Sequence, residues 1–190
     1  QLTSANSINV ARWLPQLFYF LFAYKQLEDT SKPVVFSVPS GNFGNICAGM
    51  VAHKLGMPVS QFIASVNSND VVTRFMDSGE YNPKRSIATI SNAMDVGDPS
   101  NFIRIREIFN DDFESLSKKL TSYSFTDSET RSAIKSIYNT YSYIADPHGA
   151  VGYLGLRKFL EGKPEIQGVF LETAHPIKFL DVVEDVIEKK

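Results

Sequence analysis

The segment Ser40-Gly41-Asn42-Phe43-Gly44-Asn45 sits between a β-branched apolar run and an apolar stripe at helical spacing. Its two glycines let the backbone turn through positive φ, and the N–H groups opening the next helix converge there with the favourable end of the helix dipole. Such a loop binds a phosphate; a tight turn with nothing bound is the alternative. The glycine spacing is neither that of a dinucleotide fingerprint nor that of a Walker loop, and no Lys-Ser/Thr pair follows. A second segment, Glu172-Thr173-Ala174-His175-Pro176, again follows an apolar run and precedes a helical stripe. Thr173 either shares a ligand with the Gly41 loop or caps the last helix. A third, Asn6-Ser7-Ile8-Asn9 with Arg12, combines uncharged hydrogen-bonding groups with one guanidinium a turn on, as an anionic substrate requires. Helix capping beside a solvated arginine is the simpler alternative. His148, in Asp146-Pro147-His148-Gly149, and His175 are candidates by residue type, since histidine is the common acid-base side chain, but two histidines are not a triad. Serine-hydrolase and zinc-protease readings lack their Gly-x-Ser-x-Gly and His-Glu-x-x-His patterns. Met94-Asp95 reads as packing beside an expected strand end.

The elements that must position these groups have a β-α-β rhythm. From Ser7 to about Glu28, apolar residues at helical spacing on a wide face predict a buried helix, kinked or starting late at Pro15. Val34 to Val38 predicts a central strand, Ile46, Met50, Val51 and Leu55 a helix closed by Gly56 and Pro58, and Phe62 to Val66 a second strand. Strand, helix, strand within about 30 residues is the signature of a right-handed crossover in a parallel sheet. The fold class is therefore α/β, a mostly parallel sheet flanked by helices. Asn69-Asp70 caps a short helix to about Asp77 that Gly79 ends, Ser86 to Ile90 is a weaker strand, and Pro99 opens a helix carrying Phe102, Ile103, Ile105 and Phe109. Thr126-Asp127-Ser128-Glu129 is a capping box for a helix to about Tyr143, and Gly149 to Leu160 gives another. Gly168 to Leu171 predicts a buried strand, and Pro176 starts the last helix.

Composition narrows the function classes. The 190 residues carry 19 Lys and Arg against 21 Asp and Glu, a net charge of −2, so no basic excess attracts nucleic acid or anionic membranes. The single cysteine, Cys47, excludes an intramolecular disulfide and a Cys-rich metal cluster, and points to the cytoplasm. The longest apolar run, Leu17 to Tyr24, is far short of the roughly 20 residues of a membrane-spanning helix.

Taken together, Asn6-Ser7-Ile8-Asn9, the Ser40 to Asn45 loop, Asn67-Ser68-Asn69-Asp70, Ala93-Met94-Asp95-Val96 with Pro99-Ser100-Asn101-Phe102, Asp146 to Gly152 and Thr173 to Phe179 resemble the threonine synthases in order and spacing over nearly the whole chain. Val10 and Ile177 depart from residues common in that family, an aromatic and an alanine, without touching the candidate ligand groups. The resemblance implies a fold type II, or β-family, pyridoxal-phosphate enzyme that converts O-phospho-L-homoserine and water to L-threonine and phosphate. It implies that Gly41, Asn42, Phe43, Gly44 and Asn45 hold the cofactor phosphate and that Thr173 meets the pyridine nitrogen. Asn6, Ser7, Asn9 and Arg12 are then where the substrate's phosphate is expected.

The same resemblance calls for a Schiff-base lysine in a Ser-Phe-Lys-Asp context before the glycine loop. Lys25 and Lys32 precede the loop without that context, so no catalytic residue is assigned here. The expectation is that residues 1–190 are the C-terminal part of the large cofactor-binding domain, inactive alone and prone to self-association through exposed sheet edge and apolar helix face. Two other readings remain at this stage: a different β-family lyase such as a serine or threonine dehydratase, and a non-catalytic phosphate-ligand-binding domain.

Overall fold

Val34–Pro39 (β1) and Gln61–Val66 (β2) are apolar on both faces, as strands covered from both sides must be. In the computed structural model, which describes Asn6 and residues 8–188, they pair in parallel with Phe36 opposite Phe62. Leu120–Ser124 (β3) adds to β2 and Gln167–Phe170 (β4) to β1, giving a parallel sheet in the order β3-β2-β1-β4. Helix Trp13–Lys25 (α1) precedes the strands, Gly44–Lys54 (α2), Val71–Ser78 (α3), Phe102–Ile108 (α4), Phe113–Ser117 (α5), Asp127–Tyr141 (α6) and Pro147–Leu160 (α7) run between them, and Leu180–Ile187 (α8) follows the last.

Strand alternation sends side chains to two cores. Phe36, Val38, Phe62 and Ala64 meet α1 and α2, where Phe20 of α1 packs on Phe36 with ring centroids 5.3 Å apart. Val35 and Ile63 point the other way, onto Leu156 and Phe159 of α7. On that face Ser37 and Ser65 are buried but satisfied: their hydroxyls lie 2.8 Å apart, and Ser37 Oγ donates to the Gly152 carbonyl at 2.6 Å.

The β1-α2-β2 crossover and the capping box stand as the sequence predicts, with Thr126 Oγ1 accepting from Glu129 N and Glu129 Oε2 from Thr126 N. The late start expected near Pro15 stands too: the first helix begins at Trp13, after a 3-10 turn at Val10–Arg12, with Pro15 in its first turn where a missing N–H costs nothing; Ser7 lies outside the described residues. Several expectations do not hold. That helix is not buried around its apolar face: only Leu17 and Phe20 are buried, while Leu14, Phe18 and Phe22 are 66%, 53% and 59% exposed.

Residues 86–90 are not a strand, because side chains take their backbone groups: Ile87 N donates to Asn69 Oδ1 at 2.8 Å, Asn69 Nδ2 to Ile87 O at 3.0 Å, and Thr89 N to Asp95 Oδ2 at 3.0 Å. Pro99 stands ahead of α4, its carbonyl accepting from Phe102 N, and does not open the helix. Asp70 occupies the position before α3, but its carboxylate pairs with Arg74 at 2.9 Å and makes no cap. The predicted buried strand at β4 is half-buried, because it is an edge.

Candidate functional site

Strand order decides where a ligand can sit. The chain moves from β1 to β2 to β3 in one direction, and β4 then joins β1 on the opposite side, so a crevice opens between the carboxyl ends of β1 and β4. The loop leaving β1 is Ser40 to Asn45, and the segment leaving β4 is Leu171 to His175. Helix α7, which precedes β4, brings its N-terminus with Asp146 and His148 to the same edge. These segments line one cavity of about 810 Å³, walled by Gly41 to Asn45, Ala93, Met94, His148, Glu172 and Thr173, with Phe20 and neighbours on α1 opposite. The size suits a cofactor or substrate of small-molecule dimensions.

The side chains of the glycine loop serve the loop itself. Asn42 Oδ1 accepts from Ser100 N at 2.7 Å and Ser100 Oγ at 2.9 Å, and Asn101 Nδ2 donates to the Asn42 carbonyl at 2.9 Å. Phe43 holds a left-handed backbone, φ 62°, which costs a non-glycine residue about 1 kcal/mol, and its ring is buried on Phe102 with centroids 5.6 Å apart. Asn45 Nδ2 donates to Pro39 O at 2.9 Å while its Oδ1 accepts from Ile46 N at 2.8 Å. Phe43 at the N-cap offers α2 no side-chain acceptor, and of the opening N–H groups that of Ile46 is taken by Asn45 Oδ1. Gly41 is required by contact: a Cβ there would come 2.6 Å from Met94 Cα. A tight turn built only to reverse the chain needs none of this bracing, and the arrangement fits an anionic group bound by backbone N–H.

Thr173 lines the same cavity, and the capping alternative fails because His175 supplies the cap, its Nδ1 accepting from Ile177 N at 3.2 Å. Among the described residues, Asn6, Asn9 and Arg12 are not walls of the cavity. Asn6 Oδ1 accepts from Ile8 N at 3.1 Å and Asn9 Oδ1 from Ala11 N at 3.0 Å, and Arg12 is exposed; Ser7 lies outside the described residues. That segment still communicates with the loop. Arg104 donates to Asn101 Oδ1 at 2.7 Å and to Ile8 O at 3.0 Å, and its guanidinium stacks 5.1 Å from the Trp13 ring centroid.

The cavity residues that sequence reasoning left without a role are His148 and Glu172. His148 is buried, with Nδ1 2.8 Å from Asp146 Oδ1. Glu172 is exposed as a residue, yet its carboxyl packs over Gly149 toward Asp146. Burial, and then the neighbouring Asp146 carboxyl, push Glu172 up to about 8. Burial works to raise Asp146 as well, but hydrogen bonds from His148 and Glu172 hold it below the usual carboxylate value. An acidic residue before Pro147 and a histidine in the first helical turn were the visible signal; their meeting with Glu172 was not.

A family model described as pyridoxal-phosphate dependent enzyme matches residues 7–170. Threonine synthase of Buchnera aphidicola from Schizaphis graminum is 45% identical over 188 residues, covering 98% of this chain and 43% of the relative. The crystal structure of threonine synthase from Escherichia coli superposes with a TM-score of 0.93 at 43% identity, covering 100% of this chain and 44% of that one. A pyridoxal-phosphate-bound threonine synthase from Brucella melitensis superposes at 0.88 with 33% identity, over 97% of this chain and 45% of that one. The chain thus spans under half the length of the curated relatives it matches. Its sheet is that of the fold type II enzymes, and with the family model covering most of its length, this chain belongs to the pyridoxal-phosphate-dependent enzymes.

Proposed function

We propose that the chain is the C-terminal, cofactor-phosphate-holding part of a threonine synthase, which converts O-phospho-L-homoserine and water to L-threonine and phosphate. The observation that carries this reading is the single cavity lined by both the Gly41 loop and Thr173, on a chain 45% identical to a threonine synthase over 188 residues. Gly41 to Asn45 hold the cofactor phosphate through backbone N–H groups, their side chains being committed to the loop. Thr173 meets the pyridine nitrogen with a neutral hydroxyl, which does not enforce a protonated ring as a carboxylate does. Bound there, pyridoxal phosphate supplies the electron sink for chemistry at an amino-acid α-carbon.

The lysine that carries the cofactor belongs, in this reading, to a part of the enzyme outside these 190 residues, which form part of its large domain. Asn6, Ser7, Asn9 and Arg12 serve the substrate phosphate, with exposed Arg12 as the cationic contact. Replacing Arg12 by Ala is expected to raise the substrate requirement, and unchanged kinetics remove it from the set. No helix among the described residues is long and apolar enough to cross a membrane. The buried, unpaired Cys47 suits the reducing cytoplasm. The isolated chain self-associates through the exposed α1 face of Leu14, Phe18 and Phe22; a clean monomer on size-exclusion chromatography at high concentration refutes this.

The deciding assay is threonine formation from O-phospho-L-homoserine by the full-length parent protein with added pyridoxal phosphate, with the 190-residue chain as control. Activity in the parent and none in the chain is the expected result. Silence in both overturns the assignment.

A further inference from the structure

His148 is 2% exposed and its Nε2 has no hydrogen-bond partner among the described residues, yet the residue forms part of the cavity wall. A buried ring nitrogen left without a partner is unfavourable, and the position of this one in the cavity wall points to a ligand as its partner. The rest of the ring is fixed. Asp146 Oδ1 accepts from the His148 backbone N–H at 2.8 Å and stands 2.8 Å from Nδ1, while the Phe179 ring flanks the imidazole at 4.8 Å between centroids. A carboxylate at Nδ1 selects the tautomer with the proton on Nδ1, which leaves the Nε2 lone pair facing the cavity.

We propose that His148 Nε2 is a hydrogen-bond acceptor for the cofactor in this cavity, taking an acidic O–H of its ring, and that Asp146 and Glu172 are the positioning residues that set its orientation and the negative charge behind it. This rests on the reading that the cavity holds pyridoxal phosphate. Glu172 is built into the arrangement sterically: a Cβ on Gly149, one residue after His148, would overlap the Glu172 carboxyl. Asp146 Oδ2 has no donor while both carboxyls are ionised, and a proton on Glu172 provides one. The Glu172 proton therefore governs how much negative charge stands behind the imidazole. Among the described residues Tyr143 also faces this cluster, raised first by burial and then by Glu172 and Asp146. From the turn at Pro176–Phe179 comes only the apolar Phe179 ring.

The test uses the full-length parent protein loaded with pyridoxal phosphate, reading the cofactor's absorption spectrum from about pH 6 to about pH 9 and its dissociation constant by equilibrium dialysis. In the parent, a pH-dependent spectral change is expected. His148→Asn is expected to abolish it and weaken cofactor binding by about tenfold. Glu172→Gln, which keeps a donor for Asp146 but cannot titrate, is expected to bind cofactor and lose the transition associated with Glu172. Folded variants with the parent's spectrum and affinity at every pH overturn the role of His148 while leaving the proposed function standing. If His148→Asn does not fold, Glu172→Gln decides: an unmoved transition overturns the proposal. A parent that takes up no pyridoxal phosphate overturns both readings.

Discussion

Met94 stands so close to Gly41 that a Cβ on the glycine would fall 2.6 Å from Met94 Cα and 2.9 Å from the Ala93 carbonyl oxygen. Both obstacles are backbone, which cannot rotate away as a side chain can. Gly41→Ala is therefore expected to displace the glycine loop from the segment that braces it. The cost is about 1–3 kcal/mol of stability, with cofactor affinity lowered by about tenfold or more. Thermal melting and a pyridoxal-phosphate titration of the intact protein check this; normal affinity would show that residues 93–94 yield freely.

Asp95 explains why that segment stays in place. Its carboxylate accepts from Asn67 Nδ2 at 2.8 Å, Asn69 Nδ2 at 3.2 Å, Thr89 Oγ1 at 2.7 Å and Thr89 N at 3.0 Å. Asp95→Ala takes the acceptor from Thr89 N and one acceptor from each of the other donors, which keep Ser91, Ile87 and one another, and a loss of about 1–3 kcal/mol in urea denaturation is expected. Hydrogen exchange should rise in residues 86–95 before it rises in the sheet.

Arg104 links the loop to the N-terminal segment through two acceptors, Asn101 Oδ1 and Ile8 O, while stacked on Trp13. A lysine has neither the planar fork nor the stacking face. Arg104→Lys should therefore behave like Arg104→Ala, each losing about 1–2 kcal/mol, with weaker cofactor binding because Asn101 holds the Asn42 carbonyl. Full rescue by lysine would reduce the role to charge alone.

Glu172 makes stability depend on pH with a definite sign. Its folded-state value is raised to about 8 from 4.5, chiefly by burial, so between these values the folded protein holds a proton that the unfolded chain has released. Stability therefore falls as pH rises through this window. Glu172→Gln should flatten the dependence of Tm on pH over the same range. A parent whose Tm is level across that window contradicts the assignment.

The local elements were legible because their signals are local. Val34 to Val38 and Phe62 to Val66 read as buried strands, and Thr126 and Glu129 as a capping box, from residue type and spacing alone. β3 was missed because Thr121, Ser122 and Ser124 look like a loop; in the fold Gln61 Nε2 donates to Thr121 Oγ1 at 2.6 Å, and the Ser122 and Thr73 hydroxyls lie 2.8 Å apart. The apolar face of α1 predicted burial, but hydrophobicity specifies that a surface prefers cover without supplying what covers it. Residues 86–90 had strand-like composition and lost the strand to side-chain partners in the Asn69 and Asp95 regions. The sequence by itself determined which segments could bind an anion and which elements carry them. Only the tertiary structure decided that β4 joins β1 rather than β3, and this choice puts Thr173, His148 and Glu172 around the Gly41 loop. Strand order is set by contacts between residues more than 100 positions apart, such as Ser37 with Gly152, which no local pattern encodes.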